Sequence, residues 1–218
     1  MAKTHLSKEM TKRIRRKGVV AFLTSRRARD ADDALGLILH AADSKAYRAV
    51  APPAPMRPTR VLRAKRICNH ADGLVAGLLA AGACANARDV EGHCVLRLAV
   101  QLGGGTVRRL LAAGAAPVPD ALCFAAQMVN IPATQALLAA GADVNATLES
   151  GWTPLLCACH AARMFGAVAL PMVSLLVAAG ADTSAVLSNG LGCADLINSH
   201  QLSPRDTAEL KRLLAKHF

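Results

Sequence analysis

The residue types best suited to chemistry, cysteine and histidine, come closest together at Cys157, Cys159 and His160. Thiolates and imidazoles ligate zinc, so this cluster suggests a metal site. On a helix, Cys157 and His160 share one face and Cys159 points elsewhere. No second group at ligand spacing completes a set of four ligands. We therefore predict that these cysteines are small buried apolar side chains, and we expect no metal and no other cofactor.

No other pattern in the sequence predicts a catalytic arrangement. The seven histidines are scattered, and nothing places a serine, a cysteine or an acid beside any of them. The run Gly103–Gly105 lacks the Gly-Lys-Ser/Thr ending of a phosphate-binding loop. It falls between two short predicted helices, where a tight turn is sufficient. The chain is therefore predicted to have no catalytic residues and not to be an enzyme.

A repeated string shows how the chain is organised. Leu-Leu-Ala-Ala-Gly-Ala occurs at Leu78–Ala83, Leu110–Ala115 and Leu137–Ala142, and Leu176–Ala181 differs from it at one position. Leu and Ala favour helix, and Gly readily adopts the left-handed conformation that ends one. Each copy thus predicts a helix that ends at its glycine.

A second helix-start signal follows each of these stops. From Gly141, twelve residues lead to Thr153, which can cap a helix whose first residue is Pro154. From Gly114, only six residues lead to Asp120, which is also a competent cap. The distance of twelve recurs in two further copies, from Gly82 to Cys94 and from Gly180 to Gly192.

Together these motifs resemble the ankyrin repeat. Asp89–Ala99 is similar to the family's Asp-x-x-Gly-x-Thr-Pro-Leu-His-x-Ala opening, and Gly151–Leu155 is a closer match to part of that opening. Gly141–Ala146 matches the family's connection from helix to hairpin. The resemblance covers about residues 59–218. It implies an all-α ankyrin-repeat solenoid of about five stacked helix pairs with short hairpin fingers. It also implies a non-catalytic protein that binds protein partners through its fingers and concave face.

The repeats depart from the family pattern in three places. About six residues are missing before Asp120, where a hairpin finger is expected. The fourth repeat has a longer helix pair, with the extra segment around Ala161–Leu170. The final helix, predicted at Thr207–Lys216, has a polar face, as a terminal repeat requires.

The candidate protein-binding residues lie at predicted finger positions. Trp152, the only tryptophan, is predicted near a finger tip, where it either anchors a partner or packs on the next finger. The other candidates either contact a partner or are only solvated, and they are Arg88, Glu91, His93 and Asn189.

The positive charge is confined to the N-terminal third. The chain has a formal net charge of +11, but residues 1–66 hold 17 Lys or Arg and five acids, whereas residues 67–218 hold nine and ten. We predict a helical basic extension over residues 1–58, ending in a proline-rich linker, before the array at residues 59–218. The candidate polyanion-binding residues are Lys12, Arg13, Arg15, Arg16, Lys17, Arg26, Arg27 and Arg29.

These features lead to two functional hypotheses. The first is a structural or adaptor subunit of a larger assembly, such as a ribosome or other ribonucleoprotein. Its array would bind protein neighbours, and residues 1–66 would bind RNA or an acidic protein. RNA contacts would go to the backbone, because base-stacking aromatics are absent from residues 1–29 apart from Phe22. The alternative is a freestanding ankyrin adaptor or inhibitor of a signalling or host protein, with no nucleic-acid role.

Cysteine content and apolar stretches bear on location. Seven cysteines and no secretory signal pattern predict an intracellular, reducing compartment, either cytosolic or mitochondrial. Two uncharged stretches, Ala121–Ala142 and Met164–Ala181, reach membrane-spanning length. Both contain Pro and Gly, and the repeat register divides each into two short helices, so a membrane partner is not expected.

Overall fold

A computed structural model describes residues 72–73, 75–80, 82–88, 92–197 and 203–215. The predicted N-terminal helices and proline-rich linker lie outside these residues. The chain divides into two compact units, Met1–Val95 and Leu96–Phe218. In the described residues of the first unit, helical residues 75–80 bury Val75 and Leu78. A finger follows, closed by an isolated antiparallel bridge between Arg88 and Cys94.

From Val95 onward, the described residues form eight α-helices and one 3-10 helix, and the described part of the chain contains no strand beyond isolated bridges. The described residues therefore agree with the predicted all-α class. The helices are α1 (Val95–Leu102), α2 (Gly104–Ala112), α3 (Pro119–Gln127), α4 (Ile131–Ala139), α5 (Pro154–Phe165), the 3-10 helix (Gly166–Ala169), α6 (Leu170–Ala178), α7 (Cys193–Ile197) and α8 (Pro204–Ala215).

Equivalent helices of successive pairs pack side by side. In the second unit, α5 lies between α3 and α7, while α2 packs on α4 and α6 on α8. Ala158, Cys159 and Ala161 of α5 are fully or almost fully buried. Small side chains let neighbouring helices approach closely at native packing density, which gives the high alanine content a structural role.

The predicted helix stops are confirmed. Gly82, Gly114, Gly141 and Gly180 all have φ between +85° and +90°. The residue after each glycine donates its N–H to the first leucine of the repeated string, over 3.0 Å in every copy. This is the hydrogen bond of a Schellman motif, which satisfies a carbonyl left free where the helix ends.

One predicted cap is confirmed and another is wrong. The Thr153 hydroxyl accepts the N–H of Leu156 over 3.3 Å, and Pro154 is the first helical residue. In α3, by contrast, the N-cap is Val118, which makes no side-chain cap, and Asp120 lies inside the first turn. Pro119 has a φ suited to the first helical position, so the helix begins before Asp120.

Residues Pro154–Ala178 form a helical stretch of 25 residues with a mean hydropathy of 1.8. By length and composition alone, this stretch could cross a membrane. Gly166 interrupts them, because its φ of +66° ends α5, and it is also the first residue of the 3-10 helix. The two α-helices that result, α5 and α6, pack on each other, and their buried side chains belong to the core of the second unit. In this stretch the structure agrees with two short helices.

Candidate protein-binding surface

The finger before α5 sets the position of Trp152. Leu148 donates its N–H to the Trp152 carbonyl over 3.0 Å, and Gly151 donates to the Leu148 carbonyl over 2.8 Å. Trp152 therefore lies between the turn of this finger and the Thr153 cap of α5. Its ring packs edge-on against His160 of α5, with ring centroids 5.5 Å apart. The half-buried ring is therefore held on its own repeat.

A cavity of about 300 Å³ opens beside Trp152 in the second unit. Three helices and the finger contribute side chains to its wall. They are Arg97 of α1; Asp120, Cys123, Phe124 and Gln127 of α3; Leu148 and Trp152 of the finger; and Cys157 and His160 of α5.

Arg97 is fixed at this cavity by two interactions. Its Nε lies 3.2 Å from Oδ1 of Asp120. Its guanidinium carbon lies 4.5 Å from the centroid of the Phe124 ring, within range of a cation–π contact. The Arg97 side chain is 23% exposed and that of Asp120 is 43% exposed. The two side chains thus form a partly exposed ion pair in the cavity wall.

Two cysteine thiols lie at the cavity and are buried. Contact with the Cys157 thiol, followed by burial, raises the pKa of Cys123 far above the ordinary range of a thiol. The Cys123 thiol also lies 3.8 Å from the Trp152 carbonyl as a hydrogen-bond donor. The Cys123 thiol is therefore protonated and supplies apolar surface, not a nucleophile.

The metal-like cluster of the sequence is separated in space. Cys157 faces Cys123, whereas Cys159 contacts Cys193, and that contact together with burial raises the pKa of Cys159. His160 packs on Trp152. Among the described residues, no three His, Cys, Asp or Glu side chains are grouped so that they could hold a metal ion.

The other described protein-binding candidates, Arg88, His93 and Asn189, are not among the residues that line the cavity. Arg88 is exposed in the first unit, and its Nη1 donates to the Gly92 carbonyl over 2.7 Å, which braces its own finger. His93 is half-buried in the same unit. Asn189 is exposed in the second unit, where its Oδ1 accepts the Leu191 N–H over 3.1 Å.

Several predicted site residues cannot be placed. Glu91 lies outside the described residues, as do all eight candidate polyanion-binding residues: Lys12, Arg13, Arg15, Arg16, Lys17, Arg26, Arg27 and Arg29.

Sequence reasoning missed most of the cavity wall. Asp120, Phe124 and Gln127 recur at intervals of four and three along α3, so they share one helix face. That spacing was a usable signal, because polar and aromatic residues stand on this face in a helix otherwise rich in buried small residues.

A second surface feature lies at the end of α5. Met164, Phe165 and Val168 are 57%, 49% and 69% exposed. They fall in the predicted extra segment of the fourth repeat. Large apolar side chains that cluster on a surface are typical of interaction sites.

Comparison with known families agrees with the helix-and-finger pattern. The family described as ankyrin repeats (many copies) matches residues 122–177, which run from α3 into α6. No curated protein matches the chain. Ankyrin repeats are typically non-catalytic modules that bind other proteins. The chain therefore contains ankyrin repeats within residues 122–177.

Proposed function

We propose that this protein is a non-catalytic adaptor or structural subunit that binds a protein partner at the Trp152 cavity. The observation that carries the proposal is the construction of the cavity wall. Side chains from successive helix pairs and a finger converge there, and Arg97 is held in place by Asp120 and Phe124. Interface hot spots are enriched in tryptophan and arginine placed in such well-packed pockets.

The proposal includes the finer organisation predicted from the sequence. About five stacked repeats would occupy residues 59–218, after an extension over residues 1–58. The charge of that extension supports a polyanion contact, because residues 1–66 carry a formal +12. RNA or an acidic protein would bind there, within an assembly such as a ribonucleoprotein, in the cytosol or in mitochondria.

A freestanding adaptor or inhibitor is the second candidate. The near-neutral charge of residues 67–218 favours it, since the cavity needs no basic extension to bind a neutral protein surface. The two candidates share the cavity and differ in the role of the basic residues.

Photo-crosslinking of the full chain tests the shared claim. A photoreactive amino acid replaces Gln127, an exposed cavity residue, or Gln135, an exposed residue of α4 outside the cavity. We expect a discrete protein adduct from position 127, lost on Leu148→Arg, and none from position 135. Equal adducts from both positions, or adducts insensitive to Leu148→Arg, would contradict a site at the cavity.

A salt series separates the two candidates. Lys12, Arg13, Arg15, Arg16 and Lys17 are changed together to Gln in the full chain, and RNA binding is measured from low to physiological salt. If these residues contact phosphates, the slope of log affinity against log salt falls by up to about 3.5 for a single strand. An unchanged slope with intact protein binding supports the freestanding adaptor.

A further inference from the structure

We propose that the shortened connection between α2 and α3 opens the Trp152 cavity and makes it a receptor for one uncharged aromatic side chain of a protein partner. This inference rests on the proposed function and specifies the chemistry of the partner at that site.

The connection is short compared with its two successors in the second unit. Five positions separate Gly114 from Pro119, whereas thirteen separate Gly141 from Pro154. The longer connections form hairpins, closed by N–H to carbonyl bonds from Leu148 to Trp152 and from Leu187 to Leu191, of 3.0 and 2.9 Å. Residues between α2 and α3 form no such hairpin. One finger is therefore missing beside the Leu148–Trp152 finger.

The two fingers of the second unit show which surface a finger between α2 and α3 would cover. A Cβ placed on Gly151 would lie 3.4 Å from the Ser188 nitrogen and 3.8 Å from the Leu187 Cα, so these two fingers are in direct contact. On its other side, the Leu148–Trp152 finger meets α3, because the Cys123 thiol donates to the Trp152 carbonyl over 3.8 Å and Asp120, in the first turn of α3, lines the same cavity. Leu148 and Trp152 stay half-buried there and line the cavity.

The wall favours an apolar occupant of limited size. Trp152, Phe124 and Leu148 supply aromatic and aliphatic surface, and the thiol of Cys123 is protonated. A volume of about 300 Å³ is at the lower end for small-molecule pockets, so it suits one side chain and not a whole helix. Edge-to-face and offset contacts with the two rings favour an aromatic side chain over an aliphatic one.

The charges at the wall argue against an ionic occupant. Asp120 already balances Arg97 at 3.2 Å, so an anion gains little from the guanidinium. Arg97 already lies over one face of the Phe124 ring at 4.5 Å, so a second cation would compete with the guanidinium for that ring. An uncharged aromatic group avoids both competitions.

The only tryptophan of the chain reports on occupancy. Three probes of similar size are titrated into the full chain while Trp152 emission is followed: neutral 3-phenylpropanamide, cationic 3-phenylpropylamine and anionic 3-phenylpropionate. We expect the neutral probe to saturate and to bind at least about fivefold more tightly than either ion. Equal affinity for all three probes, or no saturation by the neutral one, would overturn the inference.

Variants locate the bound probe. Leu148→Arg places a charge in the wall and should lower the affinity for the neutral probe at least about tenfold. Val186→Arg, on an exposed residue of the next finger, should change that affinity less than about twofold. Gln127→Arg, on an exposed helix position at the cavity, provides a second variant that leaves the buried core unchanged. Retention of probe affinity in both cavity variants would place the probe elsewhere and overturn the inference.

Restoring the missing finger tests the opening itself. A copy of the eight residues Val144–Gly151 is inserted after Ala116, which restores the length of the longer connections, and the control variant carries the same insertion after Asn189, within an existing finger. We expect the first insertion to abolish saturation by the neutral probe and the second to preserve it. Unchanged probe binding in the first variant would refute the role of the short connection.

The two claims fail in different ways. If the partner adduct depends on Leu148 but the neutral probe shows no preference, the proposed function stands and the aromatic receptor is refuted. If the adduct is indifferent to Leu148, the proposed function is refuted whatever the probes show.

Discussion

Gly104→Ala is expected to destabilise the second unit, although alanine is the better helix former. Gly104 is buried in the first turn of α2, against Pro132 of α4. An added Cβ would lie 2.7 Å from the Pro132 Cβ, 2.8 Å from its carbonyl carbon and 2.9 Å from its carbonyl oxygen. Two of these three atoms are backbone, so α2 and α4 must separate to admit a methyl group.

The magnitude follows from two opposing effects. Overpacking a well-packed core costs about 1–3 kcal/mol. Because backbone atoms cannot move aside as a side chain can, we expect a cost of about 3 kcal/mol here. Replacing a helical glycine by alanine returns about 0.5–1 kcal/mol. The net loss in the free energy of unfolding is thus about 2 kcal/mol, or about 4–8 °C in Tm for a chain of this size.

Its neighbour provides a matched control. Gly105 is exposed in the same helical turn, and a Cβ there would meet nothing within 4 Å. Gly105→Ala should therefore raise the free energy of unfolding by about 0.5–1 kcal/mol. Thermal unfolding of the full-length wild type and both variants, followed by circular dichroism, makes the comparison. If Gly104→Ala is as stable as Gly105→Ala, the close packing of α2 on α4 is wrong.

Three further outcomes are expected. Thr153→Ala should lower the free energy of unfolding by about 1 kcal/mol in urea titrations, because the α5 cap is lost; no change would refute the cap. Asn145→Ala should speed amide exchange at Asp182, because the Asn145 side chain accepts that N–H over 2.7 Å and donates to the Gly180 carbonyl over 3.2 Å; unchanged exchange would refute this bridge. Hydrogen bonds from Ser184 lower the pKa of Asp182. Their contribution to the stability of the fold is therefore fully present above the ordinary pKa of about 4, and it is lost as the pH falls through the lower pKa of the folded state. Ser184→Ala should raise that pKa in an NMR titration, and an unshifted pKa would contradict the contact.

Features encoded by neighbouring residues were predictable from the sequence. The glycines that end the helices could be predicted, because the residues before each glycine favour helix and the glycine adopts a positive φ. The Thr153 cap was also predictable, since its partner N–H is three residues away. Asp120 was misread as a cap because Pro119, directly before it, already takes the first helical position, which places Asp120 inside the first turn.

The cavity depends on contacts between repeats, which local patterns do not encode. Arg97 and Phe124 are 27 residues apart in sequence and meet only when α1 and α3 come together. Cys123 and Cys157 likewise come into contact because α3 packs on α5. The missing finger was visible as a short spacing before Asp120, but its effect on the Trp152 wall required the position of the next finger.

The claim that the Trp152 cavity is a protein-binding site is tested most directly by partner affinity. The partner identified by crosslinking from position 127 is titrated against full-length wild type, Leu148→Arg and Val186→Arg. We expect Leu148→Arg to weaken binding at least about tenfold and Val186→Arg to change it less than about twofold. Equal affinities for all three chains would contradict a site at this cavity.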